Sequence, residues 1–233
     1  MARLMFSLPS RGRPHNLRRF LAAYEETRAT APMWVRLDLD DVMLPEYDRI
    51  TLPDHWLKTV GPRHPNRCNG CVAEMFRAFP DEPVYGLMAD DLIPRTDRWD
   101  ARLIEAAGSS RLAYADDGKW GHELATHPVV GGDLARAIGW LVLPTVLHSF
   151  VDTALFAIAM RSNRLAYLPD VKVEHMHPLA HDQHGRPKAE MDDTYRFPET
   201  YIPDQAAFYK WQGTDLRPTV ERTMRTFNDK VAA

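Results

Sequence analysis

The 233-residue chain has two cysteines, Cys68 and Cys71, both in one C-x-x-C. That is too few for a disulfide-stapled scaffold and fits a cytosolic protein. His64 makes the motif metal-like in type, but no second ligand pair stands near it to complete a structural zinc site. Long apolar runs are also missing. The best stretch, 137–159, is broken by Pro144, His148 and Asp152, so no membrane span is expected. The first residues pass directly into Arg11 and Arg13 with no signal-peptide cleavage pattern, and a cytoplasmic location is expected. Net charge is nearly absent. With 29 Lys and Arg against 32 Asp and Glu the chain is not a polycation built to grip nucleic acid at large, although a local basic patch can sit inside such a total. There are no internal repeats and no low-complexity tracts.

What is present is a foldable composition, 45% hydrophobic and 26% charged, at a length that suits one domain with a C-terminal appendage. Residues 4–8 read as a buried strand closed by Pro9-Ser10-Arg11-Gly12-Arg13-Pro14, followed by a helix capped by Asn16 with Leu17, Phe20, Leu21 and Tyr24 on one face. Further strands are expected at 33–39, 49–52, 84–88, 113–114, 127–130, 165–168 and 171–174. Helices are expected at 72–79, 97–107, 132–140, 150–160 and 218–231. Strands alternating with helices imply an α/β fold, Rossmann-like, with a mostly parallel sheet flanked by helices. A core at 1–177 and a lid-like or packing extension at 178–233, rich at first in Pro, His and Asp, are the expected divisions.

Ligands of open α/β sheets bind beyond the carboxyl ends of the strands, and the chemistry-bearing residues collect at such ends. Pro9, Ser10 and Arg11 follow the first strand, Asp38 and Asp40 the second, Asp90-Asp91 the strand at 84–88, and His175 and His177 the last. Two adjacent carboxylates repel unless a cation or donor stands by. Hard oxygen ligands suit Mg²⁺ or Mn²⁺ together with substrate phosphates. A surface turn or helix N-terminus accounts for an Asp pair equally well. Alternation along a strand puts His175 and His177 on one side and does not choose between them.

Tyr85-Gly86-Leu87-Met88-Ala89-Asp90-Asp91-Leu92-Ile93-Pro94 resembles the strand and acidic motif of GT-A glycosyltransferases of the family-2-like branch. Phe6-Ser7-Leu8-Pro9-Ser10-Arg11-Gly12-Arg13-Pro14 is similar to the first strand and nucleotide loop of the same group. Where many relatives carry Asp-x-Asp this chain has Met88-Ala89-Asp90 followed by Asp91.

The resemblance implies a GT-A fold and transfer of a sugar from a nucleotide-sugar donor, UDP-linked by preference, with Mn²⁺ or Mg²⁺ as cofactor. It implies Asp91 as metal ligand with His175 or His177, Asp90 on the ribose, and Pro9, Ser10, Arg11, Asp38 and Asp40 on the nucleotide. Asp152, at the head of an apolar helix, would be the general base of an inverting displacement, or simply an acid favoured by the helix dipole. The stretch around Gly131-Gly132 resembles an acceptor-side loop where backbone approaches sugar closely. By analogy with small transferases of bacteriophages, the acceptor would be a hydroxymethylated pyrimidine in DNA, with saccharide and protein acceptors equally open. Two rivals stand beside this reading: a zinc hydrolase using His175, His177, His181, Asp182 and His184, and a non-catalytic nucleotide- or glycan-binding module. Asp192 and Asp193 would close over the donor or cap a turn.

Overall fold

The computed structural model describes residues 5–182, 184–189 and 198–231; Asp192 and Asp193 lie outside them. Its strands are β1 (Met5–Ser10), β2 (Met33–Asp38), β3 (Leu57–Gly61), β4 (Val84–Leu87), β5 (Leu92–Pro94), β6 (Leu112–Asp116), β7 (Val129–Gly131) and β8 (Leu165–His175). The helices are α1 (Pro14–Glu26), α2 (Leu44–Asp48), α3 (Arg67–Ala78), α4 (Trp99–Ala107), α5 (Gly132–Ile138), α6 (Val151–Arg161), α7 (Pro198–Thr214) and α8 (Leu216–Val231). One eight-stranded sheet runs β3-β2-β1-β4-β7-β6-β8-β5. β1 pairs in parallel with β2 and β4, β2 with β3, and β6 with β8, while β7 and β5 run antiparallel to their neighbours.

Period-two alternation sorts the strand residues between the two faces. Met5, Tyr85, Leu112, Tyr114 and Val130 join one core with α3, α5, α6 and the C-terminal helices. Phe6, Leu8, Val35, Val84, Ala113 and Val129 join the other with α1 and α4. Both faces are covered, which is why the central strands read as unbroken apolar runs. Phe208, Trp211, Leu216, Val220 and Phe227 belong to the first of these cores, so α7 and α8 are packed into the body of the molecule.

Several boundaries differ from the sequence expectations. No strand forms at 49–52: Arg49 caps α2, and Ile50 buries its side chain at the helix end. The third strand lies instead at Leu57–Gly61, an edge strand with mostly exposed side chains that carries no apolar signal. The expected strands at 165–168 and 171–174 are one, β8, with a register jump from Ala115↔Leu168 to Asp116↔Lys172 that absorbs Pro169. Pro14, not Asn16, opens α1, where a proline's missing N–H costs nothing. Helix α7 was not expected because Pro203 sits inside it, and an internal proline ordinarily reads as a break.

Close approach of β1 and β4 depends on Gly86, which lies opposite Phe6 in the register. A Cβ at that position would stand 2.3 Å from the Phe6 ring. Gly86→Ala is therefore expected to lower the unfolding free energy by about 1–3 kcal/mol through overpacking. Urea denaturation with an unchanged m-value would show this, and an unaltered midpoint would contradict the close packing.

Candidate active site

Arg11, Asp38 and Asp40, expected on the nucleotide side, meet at the ends of β1 and β2. Arg11 Nη1 donates to Asp38 at 3.1 Å, and its guanidinium forks onto both carboxylate oxygens of Asp40 at 2.6 and 3.2 Å. The hydrogen bond to Asp40 raises the Arg11 pKa and lowers that of Asp40. Arg11 and the two aspartates thus hold one another. Pro9 is half-buried in β1 opposite Arg36. Asp41, not foreseen, fixes the turn by accepting the Gly12 and Met43 amides at 2.7 and 2.9 Å.

Ser10 faces inward. Its hydroxyl donates to Asp90 Oδ2 at 2.5 Å, so the 2.7 Å contact with Tyr47 must run from the phenol to Ser10 Oγ. Tyr47 in turn accepts the Arg13 amide at 3.0 Å. The Arg13 guanidinium reaches Asp90 Oδ1 at 2.6 Å and Asp91 Oδ2 at 3.8 Å. Asp90 is fully buried. Burial pushes its carboxyl up, against the pull of Arg13. Burial acts on Asp91 too, but the His175 ring, Arg13 and His127 outweigh it and hold that carboxyl below the usual carboxylate range.

Asp91, His127 and His175 each bring one ligand atom to a common point, all within 4.8 Å of one another. His175 Nε2 lies 3.7 Å from Asp91 Oδ1. Adjacent ligands of an octahedral ion at about 2.1 Å sit about 3.0 Å apart and opposite ones about 4.2 Å, so this spacing suits a small divalent ion. Two imidazoles beside one carboxylate suit Mn²⁺ better than Mg²⁺, which prefers oxygen. The tautomer of His127 agrees. Thr126 Oγ1 gives its single proton to Asp117 Oδ2 at 3.1 Å, so the 3.3 Å contact between His127 Nδ1 and Thr126 Oγ1 is an N–H donated by the ring. That leaves the Nε2 lone pair of His127 for a metal, oriented from behind as ligating histidines usually are.

His177 stands differently. Its ring centroid is 5.2 Å from that of His175, but its Nδ1 accepts the Leu179 amide at 3.0 Å and lies 3.4 Å from Lys119 Nζ. Among the described residues it is not in the group that converges on Asp91. Burial, with Lys119 and His175 adding to it, lowers its pKa to about 4.

Asp152 occupies the second position of α6, where Thr153 donates its amide to Oδ1 at 2.7 Å. Burial raises its pKa, with Thr153 and the nearby His175 pulling the other way.

The expected acceptor loop at Gly131-Gly132 is corrected by topology. Because β7 runs antiparallel, Gly131 lies opposite Val84 at the start of β4, the far edge of the sheet. Its missing side chain, like that of Gly132, admits backbone of residues 109 and 82. The same reversal carries His127, just before β7, to the edge where Asp91 and His175 lie. No sequence signal marked it, because a strand was read there without its direction.

The histidine-rich run does not converge either. His181 is exposed in a bridge to Pro187, and Asp182 closes a turn by accepting the His184 and Arg186 amides. Cys68 and Cys71 are free thiols on α3, raised by burial to about 11 and about 12. Cys68 Sγ lies 3.4 Å from His148 Nδ1, and His64 is engaged by Glu74 at 2.7 Å.

No protein-family model matches the chain, and no curated protein sequence does. Solved structures do match. The mannosyltransferase PcManGT from Pyrobaculum calidifontis, in complex with GDP-Man and Mn2+, aligns over 99% of this chain and 75% of its own at a TM-score of 0.59 and 11% identity. TarS of S. aureus, residues 1–349 with UDP, aligns over 73% of this chain and 59% of its own, under two thirds, at 0.55 and 10%. Glucosyl-3-phosphoglycerate synthase from Mycobacterium tuberculosis, with Mn2+, UDP and phosphoglyceric acid, aligns over 75% and 70% at 0.53 and 11%. The chain has the GT-A fold. Likeness at this identity establishes the architecture, and the Asp91, His127 and His175 group stands at the carboxyl edge of the sheet, where open α/β sheets bind ligands. No described helix is long and apolar enough to cross a membrane.

Calorimetric titration with Mn²⁺ is expected to show one site that Asp91→Ala, His127→Ala and His175→Ala each abolish and His177→Ala leaves within a few-fold. Thr126→Val, which removes the support behind His127, should weaken the site about 10- to 100-fold. Equal losses from His177→Ala and His127→Ala would contradict the tautomer assignment.

Proposed function

We propose that this chain is a metal-dependent glycosyltransferase that moves a sugar from a nucleoside-diphosphate sugar to an acceptor hydroxyl. One observation carries the reading: the Asp91–His127–His175 group lies at the carboxyl edge of a GT-A sheet, with Arg13 beside it and Asp152 at the head of a facing helix. The PcManGT and glucosyl-3-phosphoglycerate synthase structures, both with Mn2+ and a nucleotide or nucleotide sugar, support it. We infer a UDP-sugar donor, as in the resemblance of the first strand and acidic motif, with GDP-mannose as the comparison.

Asp91, His127 and His175 would hold Mn²⁺, and when bound it supplies a Lewis acid that neutralises the leaving diphosphate. Arg13, anchored on Asp90, adds a fixed positive charge on the same side. Ser10 and Asp90 act behind this centre as the support of Arg13, and Arg11 with Asp38 and Asp40 borders the nucleotide side. Asp152 removes the acceptor proton as the acceptor oxygen bonds to the anomeric carbon. The bond from that carbon to the diphosphate oxygen breaks, and its electron pair leaves with the diphosphate. Attack opposite the leaving group inverts the anomeric centre. Burial of Asp152 strengthens it as a base, and Thr153 keeps one carboxylate oxygen fixed. Against the hydrolase alternative, His181 and His184 lie in a separate turn and are not in the group that converges on Asp91.

The test is a donor screen with Mn²⁺, scoring free nucleoside diphosphate with hydroxymethylated DNA, the acceptor expected for bacteriophage DNA modification, and with oligosaccharides as separate arms. Asp152→Asn is expected to keep Mn²⁺ and UDP binding and to lower turnover about 10²–10⁴-fold. The wild-type rate should fall as pH drops, because the base must be ionised. Its acidic limb should lie above the ordinary carboxylate value of about 3.9, in the direction burial shifts Asp152. Full activity of Asp152→Asn would remove the base, and with it the case for inversion.

A further inference from the structure

One buried carboxylate grips the loop that leads into α6 from outside. Asp204 of α7 is buried and accepts the backbone amides of Leu147, His148 and Ser149 at 2.7, 2.8 and 2.7 Å. These donors precede a helix whose cap residue, Phe150, has φ +65° and makes no side-chain cap. An aromatic residue in the left-handed region is held there at a cost, of order 1–3 kcal/mol, and persists only where its surroundings fix it. Here α7 fixes it. The Phe150 ring stacks on Phe208 at 5.1 Å and meets Tyr201 at 5.3 Å. Tyr201, Asp204 and Phe208 are three and four residues apart, one face of α7 turned to this loop.

What the loop carries belongs to the catalytic edge. His148 lies against Cys68, within the electrostatic reach of Arg13. Asp152 follows Phe150 by two residues, and His175 acts on its carboxylate. A carboxylate bonded to three amides is a strong and directional hold, and it sits more than fifty residues away in sequence from what it holds.

We propose that Asp204 is a positioning residue: through the 147–149 amides it sets where the α6 head presents Asp152, so that helix α7 is a working part of the catalytic centre. The proposal rests on the glycosyl-transfer reading, with Asp152 as its base.

Two variants separate positioning from mere stability. Asp204→Glu keeps the charge and the capacity to bond amides but pushes the loop by about one methylene. Asp204→Asn keeps the volume but turns a donor toward one of the three amides. Nucleoside diphosphate release is measured with whichever of UDP-glucose or GDP-mannose wild type turns over, together with Mn²⁺ and UDP affinity and the melting temperature.

Asp204→Glu is expected to fold and to bind Mn²⁺ and UDP within about threefold. Its kcat should fall about 10- to 100-fold with donor KM little changed, as a displacement on the order of 1 Å would produce. Combined with Asp152→Asn it should add almost nothing further, because both act through one group. Wild-type kcat in a folded Asp204→Glu or Asp204→Asn, whatever the melting temperature, overturns the proposal. So does a loss that multiplies fully with that of Asp152→Asn, or one seen while Asp152→Asn stays fully active. Wild-type protein inactive on every donor is a different failure, that of the transferase reading itself, and takes the proposal with it.

Discussion

Two adjacent carboxylates at the end of β4 are withdrawn from water, and the rest of this sheet edge answers that constraint. Neither Asp90 nor Asp91 is more than marginally exposed. Like charges so close cannot both be ionised without compensation. The compensation is divided. Asp90 takes Ser10 and the Arg13 guanidinium, while Asp91 faces His175 and His127. A directed chain of bonds runs from the Arg13 amide to Tyr47, from Tyr47 to Ser10, and from Ser10 to Asp90. It fixes one carboxylate as support and leaves its neighbour turned toward the imidazoles.

A second pair of carboxylates shapes the two loops beyond that centre. Asp117 accepts the Lys119, Trp120 and Gly121 amides through Oδ1 and takes the Thr126 hydroxyl on Oδ2. Asp204 does the same for 147–149. Buried carboxylates that accept runs of backbone amides make charge-assisted hydrogen bonds, stronger than neutral ones, and so fix the loops they grip. They leave exposed apolar side chains, Trp120 and Leu147, on the outer surface of the loops. Asp117 has a double role, because the same residue that shapes one loop also takes the proton of the Thr126 hydroxyl that the His127 ring contacts.

The sheet and most helices were legible because period-two and period-3.6 patterns survive in a chain whose core has two faces. The acidic pair and His175 were legible because an apolar strand ending in acid or imidazole announces a strand end. His127 was not. Its place beside Asp91 and His175 follows from β7 running antiparallel, and direction is set by pairing, which no local pattern encodes. Arg13 was not singled out, since the sequence does not say which arginine folds inward to meet Asp90. Asp204 lies on a helix hidden by Pro203, and its partners are backbone amides, which carry no sequence signature. Alternation put His177 beside His175, which the ring distance matches, but the turn made by Leu179 engages the nitrogen that alternation alone leaves open.

The central claim is that Asp91, His127 and His175 form one divalent-metal site at this edge, with the donor diphosphate bound against it. Diffraction from crystals grown with Mn²⁺ and UDP, collected at the manganese absorption edge, tests it in a single map. The account predicts one strong anomalous peak within bonding distance of an Asp91 carboxylate oxygen and the Nε2 atoms of His127 and His175, contacted by the UDP diphosphate. A peak on His177 without His127, or UDP bound at this edge with no anomalous density beside Asp91, would contradict it.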